Sequence, residues 1–364
     1  MGLTAGIVGL PNVGKSTIFN ALCNGKALVE NYPFCTIDPN HGIIAVPDDR
    51  LPRITAFSPT QKVVPAFLEL VDIAGLVKGA SNGEGLGNQF LGHIKDVDAV
   101  VHVVRCFEDK NITHVEGSAD PLRDISIIET ELMLADSDTV ERGIDRLSKA
   151  AKSGDREIKE RLLVFEKALE ALSRAIPIRK LGLSTSEIKE LSELHLLTSK
   201  PVLYVANIDE ARVLDDGPFV KSVRDYAVAE KSGCVKISGK IEAEINDLPE
   251  DQRHEFLATL GLAEPGLSVL ARAIYKLLGL ETFFTSGPKE NRAWTISKGT
   301  TAPRAAGFIH SDFEKGFIKA DVYRLEDLER YKTEAAMRAA GKIRSEGKDY
   351  VVLDGDIVFF KFNL

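Results

Sequence analysis

The sequence predicts an α/β fold: a doubly wound, mostly parallel sheet that carries an inserted helical hairpin and a smaller C-terminal α+β module. Three observations carry that expectation. A short apolar run at 4–8 leads straight into a glycine-rich segment at 9–16, and similar apolar runs recur between helical stretches. A long segment between the third and fourth runs changes to heptad spacing.

Residues 4–8 end at the glycine loop, as a buried parallel strand does. Residues 14–23 read as a helix with Ile18, Phe19 and Leu22 on one side. Residues 63–71 read as a second strand that delivers Asp72 at its end, 99–104 as a third and 201–206 as a fourth. Val140, Ile144, Leu147 and Ala151 are spaced 4-3-4. After a turn at Ser153-Gly154-Asp155, the residues Ile158, Leu162, Phe165, Leu169, Leu172 and Ile176 follow as 4-3-4-3-4. Two helices packed as an antiparallel coiled-coil hairpin have this pattern, and it is too long for a simple crossover helix. Past about residue 280, segments 292–297, 317–323, 350–352 and 357–362 read as strands. Segments 302–309 and 334–341 read as short helices, and Asp354-Gly355-Asp356 as a turn. The expected division is a sheet domain at 1–120 and 199–279, a helical insertion at 121–198 and a C-terminal module at 280–364.

Composition narrows the function. The 364 residues are 44% hydrophobic and 27% charged, ordinary for a water-exposed globular chain, and no run of 18 apolar residues occurs. The first residues lack the basic stretch of a signal peptide, so a cytoplasmic protein without membrane attachment is expected. Cys23, Cys35, Cys106 and Cys234 form no CxxC pair, which argues for reduced thiols rather than zinc. A net charge of −8 argues against a protein that coats nucleic acid, and no DNA partner is expected. The charge is uneven: 142–180 holds 11 Lys/Arg against 6 Asp/Glu, a local +5 that leaves −13 elsewhere. A solvated helix face and a docking face both account for such a segment.

Gly9-Leu10-Pro11-Asn12-Val13-Gly14-Lys15-Ser16 matches GxxxxGK[ST] in full, between a strand and a helix. Its glycines let backbone N–H groups turn onto phosphate oxygens, and the helix that follows presents its positive end. Asn12, Val13, Gly14, Lys15, Ser16 and Thr17 are therefore candidate nucleotide-binding residues, with Lys15 the cation for the β- and γ-phosphates. Ser16, Asp72 and Thr36 form the candidate Mg²⁺ set, and the Gly75 N–H is placed to meet the γ-phosphate. Asn207-Ile208-Asp209-Glu210 falls where a base-reading Asn-x-x-acid motif belongs, and Ser238-Gly239-Lys240 is placed to close the base pocket.

These motifs resemble a translation-factor-class GTPase domain, and more closely the YchF, or Obg-like ATPase, family. Phe34-Cys35-Thr36-Ile37-Asp38-Pro39-Asn40, segment 72–80, Asn82-Gly83-Glu84-Gly85-Leu86-Gly87-Asn88 and His102-Val103-Val104-Arg105-Cys106-Phe107-Glu108-Asp109 all carry the resemblance. So do Ala293-Trp294-Thr295 and Asp312-Phe313-Glu314-Lys315-Gly316-Phe317. The resemblance covers essentially the whole chain. It implies a P-loop nucleotide domain, a coiled-coil insertion and a β-grasp-like TGS domain, with ribosome association and ATP preferred over GTP.

The residues themselves bear on the base and on the water. Guanine-reading relatives use Asn-Lys-x-Asp, whereas Ile208 replaces the Lys here and Glu210, one methylene longer, replaces the Asp. The longer carboxylate disfavours guanine, but Asp209 beside it keeps GTP open. Leu76 follows Gly75 where many relatives place a water-orienting Gln. Either hydrolysis is slow and the chain is mainly a switch, or another group acts. The resemblance assigns that role to His114, a residue type able to orient water or take its proton near neutral pH. Asn12 resembles potassium-dependent members of the class, which implies K⁺ as a second cation beside Mg²⁺. The leading expectation is a ribosome-associated ATPase whose nucleotide state regulates translation. The rivals are a GTPase of ribosome assembly and a non-hydrolysing, nucleotide-gated binding module.

Overall fold

The computed structural model describes residues 3–23, 40–73, 86–109, 114, 117–151 and 155–363. The chain forms two compact units, one of residues 1–42 and 69–273, the other of residues 43–68 and 274–364.

The strands in chain order are β1 (Thr4–Val8), β2 (His41–Val46), β3 (Val63–Val64), β4 (Ala66–Asp72), β5 (Ala99–Arg105) and β6 (Val202–Asn207). They continue with β7 (Gly233–Ile237), β8 (Leu280–Thr285), β9 (Asn291–Ser297), β10 (Phe317–Tyr323), β11 (Arg344–Glu346) and β12 (Ile357–Phe362). The division between units runs through β2 and β4. In the first unit β4, β1, β5, β6 and β7 lie side by side and all parallel, with Ile7 opposite Asp72 and Arg105 opposite Asn207. All of β5 and β6 is buried, which explains why apolar residues dominate both strands. The strand order reverses at β1, and that switch point sets the loop after β1 at the sheet's ligand-binding edge.

The expected hairpin is present as helices Pro121–Ala151 and Arg156–Ser173. Val140, Ile144 and Leu147 pack with Ile158, Leu162, Phe165, Leu169 and Leu172, the two heptad seams read from the sequence. A Cβ on Gly143 would come within 2.8 Å of the Phe165 ring, so a glycine there lets the arms close. Asp155 caps the second arm by accepting the Glu157 N–H at 2.9 Å. Ile176 does not extend the seam. The helix ends at Ser173, Ala175 turns left-handed at φ 55°, and Ile176 lies 36% exposed. A further helix, Thr185–Ser192, closes the bundle with a capping box between Ser184 and Glu187.

The second unit is a mixed sheet in the order β11-β10-β12-β8-β9-β3. A parallel pairing of β12 with β8 joins two antiparallel pairs, β8–β9 and β10–β12. Helix Ala302–Ile309 covers the sheet, burying Ala302, Ala305 and Ala306 against Phe283, Ile296 and Phe360. This is the expected β-grasp arrangement. Two expectations change here. Residues 63–71 are not one strand, because Pro65, which has no N–H to donate, separates β3 from β4 and the two join different sheets. Residues 350–352 form only an isolated bridge, Thr301 to Val351, and the Tyr350 carbonyl accepts from the Ala302 N–H at the helix start.

Candidate functional site

The loop after β1 is built to turn backbone inward. Asn12 is left-handed at φ 62° and Gly14 at φ 91°. A Cβ on Gly14 would lie 2.2 Å from the Asn207 amide nitrogen, so only glycine fits. Val13 is buried, and its carbonyl accepts from Asn207 Nδ2 at 2.8 Å. Asn207 Oδ1 in turn accepts the Gly239 N–H at 3.0 Å. One buried amide at the end of β6 thus ties the loop after β1 to the segment after β7. Both of its hydrogen-bonding ends serve that brace, a role the sequence reading had not separated from base reading.

Helix Lys15–Cys23 begins directly after the loop, with Ser16 and Thr17 exposed on its first turn. Lys15 Nζ donates to Asp72 Oδ1 at 3.1 Å, and the two side chains are 10% and 19% exposed. Parallel pairing of β1 with β4 delivers both groups to one edge. A hydroxyl at Ser16 and a carboxylate at Asp72 are hard oxygen donors that suit Mg²⁺. Among the described residues no group of three His, Cys, Asp or Glu side chains forms a metal cluster. A Mg²⁺ ion on this edge would share its shell with phosphate oxygens and water. Thr36 and Gly75 lie outside the described residues.

The candidate base-reading residues separate. Ile208 is buried, with its N–H donating to the Ile237 carbonyl at 2.9 Å. Glu210 accepts a close contact from Lys240, and both side chains are exposed. Ser238 is buried, and its hydroxyl has no hydrogen-bond partner among the described residues. Asp209 Oδ1 is likewise buried without such a partner. Asp209 lines a cavity of about 390 Å³ with Cys106, Phe107, Glu108, Arg212 and Phe219. The Arg105 guanidinium lies 4.6 Å from the Phe107 ring centroid and donates to the Phe107 and Asp109 carbonyls at 3.2 Å each. Burial pushes the Cys106 thiol up, with Cys234 and the Asp124 carboxylate adding to it, so Cys106 stays a thiol.

His114 is also buried. Its Nε2 lies 2.8 Å from Asp124 Oδ2, with the two side chains 3% and 2% exposed. Asp124 escaped the sequence reading because it sits in the first turn of the hairpin's long arm, with no motif to mark it. A carboxylate ten residues past a histidine is too common a spacing to signal a contact.

Strand, phosphate loop, paired lysine and aspartate, and the asparagine brace define a P-loop nucleoside-triphosphate-binding protein of the GTPase class. Residues 4–207 match the family described as a 50S ribosome-binding GTPase, and residues 280–363 match the YchF-GTPase_C family, described as a protein of unknown function. The chain is 52% identical to the ribosome-binding ATPase YchF of Escherichia coli O157:H7 over 364 residues, all of both chains. It is 52% identical over 366 residues to the protein of the same name from Bacillus subtilis (strain 168), again covering both completely. The solved Schizosaccharomyces pombe YchF GTPase superposes with a TM-score of 0.89 at 40% identity, over 99% of this chain and 97% of that one. The chain belongs to the YchF family.

Proposed function

We propose that this chain is a Mg²⁺-dependent ATPase that associates with the ribosome and regulates translation according to the nucleotide it holds. The observation that carries this reading is the braced phosphate cradle, with Lys15 and Asp72 paired at its mouth and Asn207 fixing the loop from behind. The E. coli and B. subtilis relatives, ribosome-binding ATPases by name, support both the reaction and the partner.

On this reading the Val13–Thr17 backbone encloses the phosphates, and Lys15 leaves Asp72 to neutralise charge on the transferring group. Ser16, Asp72 and Thr36 would hold Mg²⁺, which would supply further neutralisation there. The Gly75 N–H meets the γ-phosphate and His114 orients the attacking water, while Asn12 would help to hold a K⁺ ion, whose charge would stand in for an arginine finger. Base choice rests on Glu210. Its carboxylate, one methylene longer than the Asp of guanine-reading relatives, is poorly placed to accept from guanine N1 and N2, and Lys240 pairs with it at the exposed rim. The GTP reading rests on Asp209, which offers the shorter carboxylate with a buried, unbonded oxygen, and on the yeast relative, a GTPase by name.

Co-sedimentation of the full chain with ribosomes, in ADP and in a non-hydrolysable ATP analogue, tests the regulatory part. Binding should differ at least about fivefold between the two states, the usual scale of coupling between sites. Equal binding in both states would leave an ATPase without nucleotide-gated ribosome association.

A further inference from the structure

We propose that Asp124 is the positioning residue of His114 and holds the imidazole from the first arm of the helical hairpin. The inference rests on reading His114 as the group that handles the attacking water.

The contact is short and dry. His114 Nε2 and Asp124 Oδ2 are 2.8 Å apart, and neither side chain is more than 3% exposed. A carboxylate only accepts, so Nε2 carries a ring proton in this contact. The carboxylate is itself held from several sides. Its Oδ1 accepts from Arg123 Nη2 at 3.3 Å, and its backbone N–H donates to the Asp120 carbonyl at 3.0 Å. It sits in the first turn of helix Pro121–Ala151, where the helix N-terminus favours negative charge.

The same arm is fixed to the sheet a little further along. Glu129 accepts from the Tyr204 hydroxyl at 3.0 Å and the Tyr226 hydroxyl at 2.9 Å, and it pairs with Arg179. Tyr204 lies on β6, the strand that ends in Asn207. The arm that sets the histidine's tautomer is therefore seated on the strand that braces the phosphate loop. Two hydrolysis components, the imidazole and the cradle, share one helix as their reference.

Four full-length proteins test this: His114→Ala, Asp124→Asn, Asp124→Ala and the double variant His114→Ala/Asp124→Ala. ATP hydrolysis gives kcat and KM, and ¹⁵N NMR of the imidazole gives the tautomer. Asp124→Asn, close to isosteric, should lower kcat by about tenfold with KM unchanged, as loss of a supporting partner does. Asp124→Ala should lower kcat at least as much in the parent and no further on the His114→Ala background. An equal fractional loss on both backgrounds, or a change confined to KM, would overturn the proposal. NMR separates this from the reading beneath it. If His114→Ala leaves kcat unchanged, the catalytic role of His114 fails, yet the contact still predicts an Nε2–H tautomer that Asp124→Ala mixes with the other. Imidazole shifts identical in the parent and Asp124→Ala would overturn the positioning role whatever the kinetics.

Discussion

Lys15 and Asp72 show how much depends on single side chains at the edge of a parallel sheet. Their contact at 3.1 Å holds a cation where, on the proposed reading, phosphate charge would sit. Lys15→Ala should lower kcat/KM for nucleotide hydrolysis by about a hundredfold or more, the scale for losing a preorganised charge in a phosphoryl-transfer site. Steady-state hydrolysis measures it, with unchanged circular dichroism to show an intact fold. His102 makes a different prediction. It is buried on β5 with its ring centroid 5.7 Å from that of Tyr204. Burial pushes its imidazole down to about 4, with Glu129 opposing and Arg179 assisting. The unfolded chain takes up that proton near 6.5, so between those values the unfolded state binds more protons and stability falls as pH drops from about 6.5 toward 4. The loss amounts to about 3 kcal/mol across the window. Urea midpoints measured against pH should fall less steeply in His102→Asn than in the parent, and identical slopes would remove His102 as the cause. The phosphate loop was legible in the sequence because a full motif between strand and helix leaves little freedom. The Asn207 brace and the His114–Asp124 contact were not, since each joins residues whose meeting depends on where β6 and the hairpin arm come to rest.

At the scale of elements, the hairpin is both the most legible feature and the most firmly tied down. Its heptad spacing up to Leu172 is kept because the apolar seam packs the two arms together. Ile176 lay outside because periodicity alone cannot show where a left-handed residue ends a helix. The return to the sheet depends on Asp136, which accepts from the Leu197 N–H at 2.7 Å, the Thr198 N–H at 2.8 Å and the Thr198 hydroxyl at 2.6 Å. Burial pushes its carboxyl up while those three donors pull it down. Asp136→Ala leaves the donors without their acceptor and should cost about 3 kcal/mol, seen as a lower denaturant midpoint with an unchanged slope. A loss under about 0.5 kcal/mol would mean that water replaces the carboxylate. The basic surplus of segment 142–180 also looks different in the fold. Arg161, Lys167 and Arg179 pair with Glu193, Glu187 and Glu129, acidic residues that all lie outside the segment counted. Arg142 and Lys149 remain on the exposed side. Reversing these two should reduce ribosome co-sedimentation by at least about tenfold at moderate salt if the hairpin grips RNA phosphates. Unchanged binding would assign the surplus to a solvated face.

Across the whole molecule, the sequence showed the three kinds of pattern but not how chain segments would be shared. Residues 43–68 group with the C-terminal unit, which no change of composition announces. Pro65 is one local mark of that exchange, and a proline in an apolar run reads equally well as a strand edge. The nucleotide site escapes this ambiguity because its described residues all belong to the first unit. On the proposed reading, the preference for ATP over GTP is concentrated at Ile208, Asp209 and Glu210. Buried Ile208 offers no charge to a base, Glu210 pairs with Lys240 on the exposed surface, and Asp209 faces the cavity beside Phe107. Titration calorimetry of the full chain with ATP and with GTP, each with Mg²⁺, is the most direct test. The account expects ATP to bind at least about tenfold more tightly, a difference of about 1.4 kcal/mol. Equal affinities, or tighter binding of GTP, would contradict it and make Asp209 the base-reading carboxylate.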